Sequence, residues 1–194
     1  MTGSDDLQRF LAADDVVEAR HPDVMRLAAE LRSAAGEGTE AYARAAFEWV
    51  RDEVAHSIDA ADPRVTLSAS DVLRERVGLC YAKSHLLAAL LRTEGIPTAL
   101  CYQRLREGDV FMLHGLVAVH VGGAWHRQDP RGNKPGVDAQ FSLTEERLAW
   151  PVDPAAGEAD LPGRFASPAP VIVAALRGTD DVLALVRSGL PTDL

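Results

Sequence analysis

Cys80 stands in the segment Val77-Gly78-Leu79-Cys80-Tyr81-Ala82-Lys83-Ser84, just after a glycine break and at the head of a long apolar run. A helix N-terminus presents unpaired backbone N–H groups and the positive end of the macrodipole, and both favour thiolate over thiol. A cysteine so placed is a candidate nucleophile, provided the chain also supplies a base and a group that orients the base. Six histidines compete for the role of base: His21, His56, His85, His114, His120 and His126. Hairpin parity separates them. Gly122-Gly123 reads as a two-residue turn, so Val121 pairs with Ala124, Ala118 faces Arg127 and Leu116 faces Asp129. His114 then shares a face with Leu116 and becomes the diagonal neighbour of Asp129, within reach of an imidazole and a carboxylate. Such a pair can fix the imidazole tautomer and stabilise its charged form, which is what a catalytic triad needs.

The elements that must position these groups are also legible. Apolar spacing at Val24, Leu27, Ala28 and Leu31 predicts a helix over 22–35, with Pro22 in its first turn. The next helix runs from Thr39, as its cap, to about Val54, and buries Tyr42, Ala46, Trp49 and Val50. Ser68 or Ser70 caps a short helix through 71–76 that Gly78 ends. Cys80 opens a central, largely buried helix carrying Leu86, Leu87, Leu90 and Leu91, closed by Gly95. Ile96-Pro97 leads into a strand over 98–103, Glu107-Gly108-Asp109 turns the chain, and strands over 112–121 and 124–129 make the hairpin. For the triad to assemble, the sheet face with His114, Leu116, Ala118 and Trp125 must pack toward the head of the Cys80 helix. The opposite face, with Val117, Val119 and Val121, is at least as apolar, which leaves packing on both sides open.

Other readings compete at several of these residues. Cys101 sits in mid-strand with no helix start nearby, which is the place of a core cysteine. His120 shares the face of His114 but lies near the turn, as a solvated residue. His126 pairs with Val119 and points to the other face, so the three strand histidines do not converge and no metal site is expected. No acidic loop has calcium-ligand spacing. His56, at the end of the second helix, reads either as a hydrogen-bond donor lining the cleft or as a histidine favoured by the helix C-terminal dipole. Gln103 and Arg104 either border the groove or end a solvated strand, and Asp129 before Pro130 also fits a simple turn.

The 194 residues suit one sizeable core, so a single domain over 1–194 is expected, with a core over about 40–131 and a proline-rich wrap over 132–194. A net charge of -9 argues against nucleic acid or an anionic membrane surface as partner. The first residues lack the cationic start and apolar stretch of a secretory signal, and no run reaches transmembrane length, so a cytoplasmic location is expected, with both cysteines as free thiols.

Gly78-Leu79-Cys80-Tyr81-Ala82-Lys83-Ser84, Leu90-Leu91-Arg92-Thr93-Glu94-Gly95-Ile96-Pro97, Leu113-His114-Gly115 and Trp125-His126-Arg127-Gln128-Asp129-Pro130, preceded by Trp49-Val50-Arg51-Asp52-Glu53-Val54, together resemble the transglutaminase-like superfamily of papain-fold thiol enzymes. The resemblance spans roughly residues 40 to 131. It implies an α+β fold in which N-terminal helices, the nucleophile helix among them, pack against an antiparallel sheet. Mapped onto this chain, it makes Cys80 the nucleophile, His114 the base and Asp129 the orienting group. Tyr81, Gln103 and His56 are the candidates for contacting substrate. The family often has an aromatic residue two positions after the histidine, where this chain has Leu116, a departure that bears on the substrate groove. The chemistry implied is attack on a peptide or protein amide through a thioester, with no cofactor. Water as acceptor gives a cysteine peptidase or amidase, the default because water is ubiquitous; an amine gives a transglutaminase. A non-catalytic peptide-binding module on the same fold is the rival from another class. Oligomeric state is not legible.

Overall fold

The computed structural model describes residues 4–194. A short helix α1 (Ser4–Gln8) and a 3-10 turn (Arg9–Leu11) precede three helices and two very short strands: α2 (Pro22–Ala35), α3 (Thr39–Glu53), β1 (Ala55–His56), α4 (Ala69–Glu75) and β2 (Val77–Gly78). The central helix α5 (Cys80–Thr93) follows, then β3 (Thr98–Glu107), β4 (Val110–Val121) and β5 (Ala124–Gln128). The C-terminal part adds β6 (Ala159–Asp160), α6 (Pro170–Arg177) and α7 (Val182–Ser188). Among the described residues no helix is long and apolar enough to cross a membrane.

The helices form where their spacing predicts, with two differences at their ends. Gly38 precedes α3 without a side-chain cap, so Thr39 lies inside the helix instead of capping it. Ser68 caps α4 and forms a reciprocal capping box with Asp71. Arg76, in the left-handed conformation (φ 55), ends that helix two residues before Gly78. Gly78 is needed for a different reason: a Cβ there would stand 2.9 Å from Thr66 Oγ1 and 3.0 Å from Ala82 Cβ. Helix α5 is buried from Cys80 through Arg92, as a helix enclosed on every side must be. Helices α2, α3 and α4 pack around it on one side and the main sheet on the other.

That sheet has the order β5-β4-β3-β6 and is antiparallel throughout. Gly122 and Gly123 both have positive φ (63° and 84°), the requirement of a type I′ turn whose twist matches the flanking strands. The hairpin register is the expected one, with Val121 opposite Ala124 and Ala118 opposite Arg127. Both long strands outrun their predicted ends, because Gly108 (φ 61) lets the β3–β4 turn tighten and keep Glu107 paired with Val110.

The two sheet faces are divided differently from the expectation. Leu100, Tyr102, Leu113, Val117 and Val119 join α5 in the main core. Ala99, Cys101, Leu116 and Ala118, on the face that also carries His114, pack instead against Phe10, with Trp125, Leu148 and Ala166 around them. The body of α5 therefore lies across the odd-numbered face of β4, where the bulkier β-branched side chains fill the gap to a helix, and a segment from each end of the chain closes the smaller even-numbered face. The proline-rich wrap also contributes structure that its composition hides: β6 pairs Asp160 with Gln103, and Phe165 bridges Leu100, so β3 is not left as an open edge.

Candidate active site

Cys80 is the first residue of α5, where its backbone N–H has no intrahelical acceptor. Its side chain is 7% exposed at the wall of a cleft of about 420 Å³, which His56, Leu79, His114, Arg131 and Trp150 also line. Leu113 and Gly115 of β4 are tied to the first turns of α5 by three hydrogen bonds. The Tyr81 hydroxyl donates to the Leu113 carbonyl, the Ser84 hydroxyl donates to the Gly115 carbonyl at 3.2 Å, and the Gly115 N–H donates to Cys80 Sγ at 3.4 Å. The approach depends on Gly115 having no side chain, since a Cβ would lie 2.7 Å from Tyr81 Cδ1 and 3.1 Å from Tyr81 Cα. This seam, and not the packing of a whole sheet face, brings His114 beside Cys80.

His114 Nε2 lies 2.8 Å from Asp129 Oδ2, with both side chains buried. Asp129 follows the last residue of β5 and accepts two further hydrogen bonds, from the N–H of Ala149 at 3.0 Å and of Arg131 at 3.1 Å. Burial alone would push its carboxyl up, yet the imidazole and the two N–H donors hold it below the usual carboxylate range. Burial works against the His114 imidazolium too, but Asp129 and the neighbouring Cys80 outweigh it and push the ring from 6.5 up to about 10. Trp150 meets the His114 ring edge-on, with centroids 5.4 Å apart, and its own face carries the Arg131 guanidinium. The wrap therefore supplies both a hydrogen bond to Asp129 and an apolar shield over the imidazole.

The residues expected to contact substrate are placed differently from one another. Tyr81 is 1% exposed and spends its hydroxyl on Leu113, so it belongs to the helix–sheet seam and does not line the cleft. Gln103 is the direct partner of His114 across β3 and β4, but its amide is buried on Asp160 at 2.9 Å, outside the cleft lining. His56 does line the cleft. It lies on β1, paired in parallel with Gly78 of β2, and is not at a helix end as the dipole reading requires. Burial, reinforced by Arg131, lowers it to about 3 and keeps the ring neutral. Cys101 is buried and its thiol is pushed up to about 11. Among the described residues no three His, Cys, Asp or Glu side chains converge as a metal site.

Two residues around the site escape a reading by pattern. Lys83 is fully buried and donates to the Val54 and Arg51 carbonyls at the end of α3, capping that helix from α5; burial lowers it to about 7. A lone lysine inside the apolar run 79–91 is the signal that marks it. Arg131 is 2% exposed and pairs with Asp59, which also accepts from Lys134 at 3.0 Å. Its place directly after Asp129-Pro130 is the only sequence cue.

Among solved structures, a candidate cysteine protease from Cytophaga hutchinsonii is similar with 21% identity and a TM-score of 0.55, covering 68% of this chain and 43% of its own. The periplasmic domain of TgpA from Pseudomonas aeruginosa is 24% identical with a TM-score of 0.49, covering 64% of this chain and 46% of its own. The chain thus spans less than half the length of either structure. No curated protein matches the sequence. The family model of the transglutaminase-like superfamily matches residues 25–130, which runs from α2 through the hairpin to the residue after Asp129. The chain belongs to the transglutaminase-like superfamily.

Proposed function

We propose that this protein is a thiol enzyme that cleaves amide bonds through a Cys80–His114–Asp129 triad and a thioester, as a cysteine peptidase or amidase. The observation that carries this reading is the 2.8 Å contact of His114 Nε2 with Asp129. It commits that nitrogen to the carboxylate and leaves Nδ1 as the one for Cys80. With the imidazolium stabilised beside it, Cys80 attacks an amide carbonyl as thiolate, and a carbon–sulfur bond forms as the carbonyl pair moves to oxygen. Collapse of the tetrahedral species breaks the carbon–nitrogen bond, and His114 protonates the departing amine. Water then gives one proton to His114 and its oxygen to the acyl carbon, and collapse breaks the carbon–sulfur bond, releasing the acid and restoring the thiolate–imidazolium pair. The backbone N–H of Cys80, free at the helix start, is one donor to the oxyanion. A peptide or protein amide is the substrate class, no cofactor takes part, and the two free cysteines suit a reducing, cytoplasmic setting.

The test is a pH series of iodoacetamide alkylation on the wild type, Cys80→Ala and His114→Ala. Cys80 is expected to react at pH 6 faster than a free thiol, and His114→Ala to abolish the advantage. A wild-type rate no higher than that of glutathione would sink the reading. A panel of peptide amides, assayed with and without added amine, separates hydrolysis from acyl transfer.

A further inference from the structure

The catalytic scheme leaves one position unfilled, since a tetrahedral oxyanion needs more than the single N–H of Cys80. His56 is a cleft residue with no other assigned partner. Its strand β1 is held by β2 through Ala55–Val77 and His56–Gly78 pairing, with the Ser57 N–H donating to the Gly78 carbonyl at 3.1 Å. Gly78 lies two residues before Cys80, so the ladder fixes His56 at the head of α5 through backbone bonds, independently of any flexible loop. The side chain is 8% exposed, and its Nδ1 is sealed from solvent without a hydrogen-bond partner. An orphan of this kind is retained at a net cost unless the group serves a purpose.

The two ring nitrogens differ in access. Nδ1 is sealed, whereas Nε2 makes no hydrogen bond among the described residues and is the nitrogen open to the cleft. A neutral imidazole carries a single N–H, which on Nε2 can be offered to a group bound in the cleft. Burial together with the Arg131, Lys83 and His114 charges, against the single opposing carboxylate of Asp59, keeps the ring from acquiring a second proton. It is a fixed, neutral N–H donor in the cleft of Cys80 and His114.

We infer that His56 is the second oxyanion donor, its Nε2–H stabilising the carbonyl oxygen of the tetrahedral intermediate on Cys80 alongside the Cys80 backbone N–H. This rests on the acyl-transfer reading above. The test compares two reactions of the same sulfur in the full chain: alkylation by iodoacetamide, which develops no oxyanion, and the acylation burst with p-nitrophenyl acetate, which does. In His56→Leu, acylation is expected to fall by about 10²–10³-fold, the loss typical of a missing oxyanion donor, while alkylation stays at the wild-type rate. His56→Gln returns a side-chain N–H and is expected to recover most of the acylation rate. An unchanged burst in His56→Leu overturns the assignment, and so does a parallel fall of both reactions, which would mark His56 as a support for Cys80. A wild type that alkylates rapidly but shows no burst removes the acyl-transfer reading itself, and that failure is visible before any substitution at His56.

Discussion

His114 and Asp129 meet at 2.8 Å across a hairpin, one near the middle of β4 and the other just past the end of β5, and the carboxylate that receives the ring is also the acceptor for the N–H groups of Ala149 and Arg131. A carboxylate with three donors cannot turn away from the imidazole without stranding two backbone amides in the core. The ring orientation is therefore set by the loops after β5 as much as by the sheet.

Asp129→Asn tests this directly. Its amide NH2 would donate where the native group accepts, reversing the tautomer of His114. The expected loss in kcat/KM is about 10⁴-fold, by analogy with removal of the charge from other orienting aspartates. The Ala149 and Arg131 amides lose a charged acceptor, so a lower urea midpoint should accompany the loss of activity.

The pH dependence of stability carries the same signature. His114 is raised in the folded protein from 6.5 to about 10, so its contribution to stability is fully present below 6.5 and is lost as pH rises through 10. Urea midpoints from pH 6 to pH 10.5 should fall in the wild type relative to His114→Gln. A constant difference across that range would contradict the ion pair.

Lys83 predicts a slope of opposite sign. Its folded value near 7 lies below the ordinary 10.5, so the buried ammonium burdens the folded state most at and below pH 7, and the burden fades as pH rises to 10.5. Compared with Lys83→Met, the wild type should gain stability between pH 7 and 10.5. The methionine variant also leaves the Val54 and Arg51 carbonyls without their donor, for a loss of roughly 1–3 kcal/mol that urea titration at pH 10 can read.

Gly115→Ala places a methyl group against Tyr81 at 2.7 Å, in a seam with backbone on both sides. Overpacking of this kind typically costs about 1–3 kcal/mol. Because relief requires β4 to move off α5, the Gly115 N–H contact to Cys80 should be lost and activity should fall further than stability does.

Tyr81→Phe distinguishes a seam residue from a substrate contact. The Leu113 carbonyl would be left buried and unpaired, at a cost of roughly 1–3 kcal/mol in urea unfolding. KM for a peptide amide should not change, since the ring does not reach the cleft.

Much of this arrangement is legible in the order of residues alone. The helical stripes of α2 and α3, the all-round apolar α5 and the Gly122-Gly123 turn follow from local periodicity and turn chemistry, and side-chain alternation then puts His114 and Asp129 on one face. What lies across from each face is a different matter. Both sides of β4 are apolar, and only the packed chain decides that Val117 and Val119 meet α5 while Leu116 and Ala118 meet Phe10. Tyr81, Gln103 and His56 all sit near Cys80 or His114 in sequence or register, yet the first two are spent on internal hydrogen bonds and only the third lines the cleft. His56 owes its position to a two-residue strand too short to leave a periodic trace. Local pattern determines which way a side chain points along its own element; whether it then meets water, a core or a neighbouring charge depends on segments distant in the chain, and those contacts exist only once the whole is packed.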